Sequence, residues 1–202
     1  MASRREKTSP KQMRKIALVI CEGETEAGYI NLLKSWYKSP IRIVSHIEGT
    51  KITPSLVEKR TRELKISQLD KVRAFLMYDM DVQSVNEKLL KCKAEMLLSN
   101  PCFEIWLLLH SKNQKTAINS DALIKELKKS APVWRTYSKS VFTDTQKAFL
   151  KSNTDVAVAR AMKLCEYQNP STGIYKLIEM LSSDVRQSSH LSEESIKSDS
   201  RD

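Results

Sequence analysis

Glycine is scarce in this chain, with four in 202 residues, and no GxxxxGK[ST] phosphate loop is present. That excludes a nucleoside triphosphatase of the P-loop type. The four cysteines, Cys21, Cys92, Cys102 and Cys165, are scattered and include no CxxC pair. A zinc knuckle and a disulfide framework are thereby excluded, and free thiols in a reducing cytoplasm are expected. His46, His110 and His190 share no spacing with the acids or cysteines and receive no role. No apolar run approaches the ~20 residues of a membrane span. The N-terminal MASRREKTSPKQMRK has no apolar stretch of the kind a secretory signal needs. A cytoplasmic protein without a membrane partner is expected.

Positive charge, by contrast, is abundant. Lys and Arg number 34 against 24 Asp and Glu, a net charge of +10. Residues 1–15 hold Arg4, Arg5, Lys7, Lys11, Arg14 and Lys15 against the single acid Glu6. Such a balance suits a polyanionic partner, nucleic acid above all, because phosphate neutralisation drives binding without sequence preference. A merely solubilising arm is the alternative reading of the same residues.

With 41% hydrophobic residues, the chain has enough for one α/β-sized core with a helical extension. Apolar runs predict strands over Lys15–Ile20, Ile41–Ile47 and Arg73–Asp79, and a short fourth one over Glu95–Ser99. Helical spacing predicts helices over Thr25–Tyr37, from Thr53-Pro54 onward, and near Val82–Lys93. Strand–helix alternation with apolar strands implies a mostly parallel sheet of about four strands, covered by helices on both faces. From Phe103 the pattern turns helical, with segments at FEIWLLLH, Asp121–Lys129, Asp144–Leu150, Asp155–Tyr167 and Thr172–Leu181. The expected organisation is a basic arm over 1–14, an α/β core over 15–110, a helical extension over 111–182 and a Ser-rich disordered tail over 183–202.

The acids have an uneven distribution. Glu22, Glu24 and Glu26 crowd the end of the first predicted strand, and Asp79 and Asp81, in YDMD, the end of the third. In parallel α/β sheets, ligands bind beyond the carboxyl ends of the strands. Two-residue alternation sends Asp79 and Asp81 to the same side. Converging carboxylates raise one another's pKa and destabilise the fold unless a cation joins them. Oxygen ligands of this kind favour Mg²⁺ or Mn²⁺ over Zn²⁺. For Glu24 and Glu26 a second reading stands open, in which they complement the dipole of the following helix, with Thr25 as its N-cap.

CEGETEAGYI, MYDMD, SNPCFEIWLLLH and NPSTGIYKLIEML together resemble the RloB-like family, a compact TOPRIM group associated with prokaryotic anti-phage defence. The resemblance spans about Lys15–Leu181. It implies a Mg²⁺-dependent site that cleaves phosphodiester bonds, with Glu22 as general acid/base and metal ligand, and Asp79 and Asp81 as the metal-binding pair. Glu26 matches the second acid of the family's EGxTE pattern, and Glu104 is a candidate ligand or a helix-start acid. Gln83 stands where a third acid often follows DxD. Because family members are found beside ATPase genes, an ATPase partner is implied as well. Lys176 is a candidate phosphate contact or a solvated lysine. Trp134 and Tyr137, among Lys128, Lys129, Arg135 and Lys139, form a basic–aromatic cluster suited to stacking an unpaired base, or a partly buried loop. The leading expectation is a metal-dependent nuclease acting on DNA or RNA, tRNA included. A non-cleaving binding or sensor subunit of an ATPase complex is the alternative, and a receiver-type phosphoacceptor fits the paired DxD poorly.

Overall fold

The computed structural model describes residues 14–37, 41–64, 66–67 and 69–184. All of the expected basic arm except Arg14, and all of the expected tail except Ser183 and Asp184, lie outside them. Strand β1 (Lys15–Cys21) is buried from its second residue on. It is flanked in parallel by β2 (Arg42–Ile47) and β3 (Lys71–Met77), and β4 (Glu95–Met96) pairs in parallel with β3. The order is β2-β1-β3-β4.

Alternation along β1 sorts its side chains between two cores. Ala17, Val19 and Cys21, with Phe75 and Met77, face α1 (Glu24–Trp36) through Tyr29, Ile30 and Leu33. Ile16, Leu18 and Ile20, with Leu76 and Tyr78, face α2 (Pro54–Glu63) and α3 (Gln83–Leu89) through Val57, Val85 and Leu89. The chain leaves β1 for β2 by α1 on one face, then returns by α2 on the other to β3, on the far side of β1. This reversal makes the gap beyond the ends of β1 and β3 the topological switch point.

The expected strand Glu95–Ser99 divides. Glu95–Met96 joins the main sheet, Leu97 and Leu98 bury into opposite cores, and β5 (Ser99–Asn100) pairs antiparallel with β6 (Ser171–Thr172). Asn100-Pro101 and Asn169-Pro170 are both cis. The strings SNPC and NPST, 70 residues apart, are therefore the two sides of one clasp, with Ser99 Oγ and Thr172 Oγ1 3.0 Å apart. Gly173 closes it by donating its N–H to Leu98 O at 2.9 Å. A Cβ on Gly173 would stand 3.0 Å from Met96 O and 3.2 Å from Leu97 Cα, both backbone. Gly173→Ala is accordingly expected to lower stability by about 1–3 kcal/mol, read as a fall in the urea midpoint with unchanged slope.

The helical half builds on α4 (Glu104–Ser111), which is buried all round from Glu104 to His110, as an apolar run on every face requires. Trp106 packs edge-on against both Tyr29 and His110. Around α4 lie α5 (Ser120–Ser130), α6 (Asp144–Ser152) and α7 (Thr154–Ala161), then α8 over 175–184. The stripe Ile174, Leu177, Ile178 and Leu181 is buried as its spacing predicts. Two expected helices end early: 82–93 stops at Leu89 and 155–167 at Ala161. In the second case Tyr167, at φ 66°, turns the chain so that Pro170 can lead residues 171–172 into β6. Ser183 and Asp184 belong to α8, and Asp184 accepts from Lys15 Nζ at 2.8 Å. No helix among the described residues is long and apolar enough to cross a membrane.

Candidate functional site

Glu22 follows β1 directly, and its Oε2 accepts the backbone N–H of Asp79 at 3.0 Å. Asp79 lies two residues past β3, held extended by a parallel bridge to Ser99. Its Oδ1 accepts the Phe103 N–H at 2.7 Å. The clasp thus delivers Phe103 to Asp79, and the next residue, Glu104, opens α4 almost fully buried. Glu104 Oε1 accepts the Tyr137 hydroxyl at 3.0 Å and lies 3.6 Å from Lys139 Nζ. Glu26 Oε2 accepts the Gly23 N–H at 3.1 Å. Glu22, Asp79, Glu26 and Glu104 thus each have one oxygen anchored by a donor.

The electrostatics tie these groups together. Asp79 is pushed up to about 9, first by burial and then by the charges of Glu26, Glu22, Glu104 and Asp81. Burial is also the main cause raising Glu22, with Asp81 adding to it and the Asp79 N–H and Lys139 opposing. Glu26 is raised by burial, then by Glu104 and Glu22. Lys139 is held above the ordinary lysine value: burial works against its charge, but Glu104, Cys102 and Asp79 together outweigh it. Glu22, Glu26, Asp79, Asp81 and Glu104 therefore converge at the switch point. Asp81 stands at the rim, exposed.

Among the described residues no three His, Cys, Asp or Glu side chains form a ready-made cation cluster. The donor set itself, carboxylate oxygens with one oxygen each held by an N–H or O–H, fits a hard divalent cation.

Other sequence expectations fare differently. The N-cap of α1 is Gly23, not Thr25. Thr25 is buried and its Oγ1 accepts the N–H of Ser140 at 2.9 Å. Ser140 sits at φ 74°, a left-handed backbone uncommon outside glycine, and this bond fastens the Lys139 loop to the first turn of α1. Glu24 faces water. Trp134 is fully buried against Tyr137 and Phe149, so the base-stacking role is corrected: its ring has no free face. Tyr137 is likewise buried, and acts through its hydroxyl. Arg135 is exposed. Lys176 pairs with Glu166 Oε1 at 2.7 Å, against β6 and not among the acids. Sequence reasoning missed the Phe103 N–H and the Thr25–Ser140 tie, because neither a backbone donor nor a contact across 115 residues leaves a local pattern.

The fold and site define a parallel α/β protein with a carboxylate cluster at its switch point and a lysine on a returning loop. A family model described as RloB-like protein matches residues 17–181. The chain belongs to the RloB-like family. No curated protein and no solved structure gives a match.

Proposed function

We propose that this RloB-like protein is a TOPRIM-type, Mg²⁺- or Mn²⁺-dependent nuclease that cleaves phosphodiester bonds, as a toxic effector in anti-phage defence. The observation that carries the reading is the gathering of Glu22, Glu26, Asp81 and Glu104 around Asp79, whose N–H is held by Glu22 and whose Oδ1 is held by the Phe103 N–H next to Glu104, a cost that a scaffold has no reason to bear. Glu22, Glu26, Asp79 and Asp81 would hold the cation, with Glu104 behind them. When bound, the cation supplies Lewis acidity and a water of lowered pKa.

The chain's own groups supply the rest. Glu22 is anchored through Oε2 by the Asp79 N–H, so Oε1 is the atom that accepts the proton of the attacking water. Lys139, with its side chain 62% exposed above Glu104, binds a non-bridging phosphate oxygen and steadies the charge that grows on it. Tyr137 orients Glu104 through its hydroxyl.

The test is cleavage of tRNA, single-stranded RNA and plasmid DNA in Mg²⁺, Mn²⁺ or EDTA, with a candidate ATPase partner added in parallel. Metal-dependent cleavage by the wild type is expected to fall about a hundredfold or more in Glu22→Ala and in Asp79→Ala/Asp81→Ala. Equal cleavage by all three proteins, or full activity in EDTA, would remove the reading. Cation binding without cleavage, ATPase present, would favour the sensor role.

A further inference from the structure

A groove of about 480 Å³ lies between α2 and the turn that follows α3, outside the acid cluster. Pro54, Val57 and Thr61 line it together with Arg62, Lys91 and Lys93, against the single acid Glu58. All three cations are exposed, and none has an ion-pair partner among the described residues. Arg60, by contrast, is occupied by Glu48 and Glu63.

The α2 side of the groove starts near the acids. The turn over Gly49–Lys51 follows β2, and a Cβ on Gly49 would lie 3.9 Å from Glu22 O. From that turn the chain enters α2 at Pro54. The other side, Lys91 and Lys93, follows α3, which begins at Gln83, two residues past Asp81, and whose Lys88 Nζ donates to Thr50 O at 3.2 Å. From Pro54 to Arg62 a helix rises ~12 Å, a length equal to three to four base steps of a duplex at ~3.4 Å of axis each.

We infer that this groove is a track for the phosphates of a nucleic-acid strand, which Arg62, Lys91 and Lys93 hold as it passes from the acid cluster. The inference takes its ligand class from the nuclease reading, but its contacts need neither cation nor chemistry. Sequence-independent holding of the backbone is what exposed, unpaired Lys and Arg supply.

Anisotropy of a labelled 20-nucleotide strand and a 20-base-pair duplex, in EDTA and over a salt series, tests it. Arg62→Glu/Lys91→Glu/Lys93→Glu is expected to weaken duplex binding about a hundredfold near 0.15 M salt and to flatten the log–log salt slope by about 3. Lys125→Glu/Lys151→Glu/Lys163→Glu makes the same net charge change on exposed positions of the helical half, and is expected to change affinity less than about threefold. Melting curves confirm that both triples fold. Equal weakening by the two triples, an unaltered slope in the first, or no binding by the wild type overturns the track. A selective loss in the first triple supports it even if the wild type cleaves nothing, and cleavage with unaltered binding removes the track alone.

Discussion

Asp79→Asn is expected to make the cation-free protein more heat-stable and, in the same preparation, inactive. Asparagine keeps an acceptor for the Phe103 N–H and removes a charge that burial and four neighbouring carboxylates oppose. The folded-state value, about 9, stands above the ordinary 3.8. Between those values the native state binds more protons than the unfolded chain, so stability is full below about pH 4 and declines as pH rises toward 9. At pH 8 the substitution should restore about 2 kcal/mol, some 5 °C in melting temperature for a domain of this size. Near pH 4 and below, where the unfolded chain takes up the proton as well, the gap should close. Millimolar Mg²⁺ is expected to narrow it at pH 8 by stabilising the wild type alone. Cleavage should drop about a hundredfold or more. Differential scanning fluorimetry at the two pH values, beside the cleavage assay, reads all of this. A lower melting temperature at pH 8 would mean that Asp79 is held by favourable contacts and is not a strained member of the cluster.

Trp134→Ala should be the most damaging of the aromatic truncations that the basic–aromatic loop invites. The indole is fully buried, with Tyr137 and Phe149 edge-on to it at ring separations of 6.0 and 5.9 Å. Its Nε1 has no hydrogen-bond partner, so the loss is one of packing. A cavity of that size costs about 3–5 kcal/mol. Chemical denaturation should show it as a large fall in midpoint, while the protein that remains folded binds nucleic acid with unaltered affinity. A stacking platform would behave in the opposite way, losing about 1–3 kcal/mol of binding per base at constant stability. Trp134→Phe, which keeps most of the volume, should recover much of the lost stability.

Strand periodicity made β1, β2 and β3 readable, since Lys15–Cys21 is buried nearly throughout and such runs belong to parallel central strands. From the strand ends, and from the EGxTE and DxD patterns, Glu22, Glu26, Asp79 and Asp81 could be named, and the string SNPCFE singled out Glu104. What could not be read was how they are held. Residues 97–100 look like the continuation of one strand, yet they leave the sheet because Ser99 and Asn100 find partners at Thr172 and Ser171, beyond any local window. Trp134, with lysines around it in sequence, could be read either as a stacking ring or as a partly buried one; three-dimensional packing turns those lysines outward and the indole fully inward. Lys139 was picked out beside the aromatics, whereas its nearest ion partner is Glu104, 35 residues away in the chain.

The clasp between β5 and β6 also sets a timetable for synthesis. A ribosome that has released the first 110 residues has made every acid of the cluster, but neither Lys139 nor the segment that grips Ser99 and seats Asp79. The cluster is completed only when Thr172 emerges, near the end of the matched region. Nascent chains and products that stop short of Thr172 should therefore carry the acids without the assembled cluster.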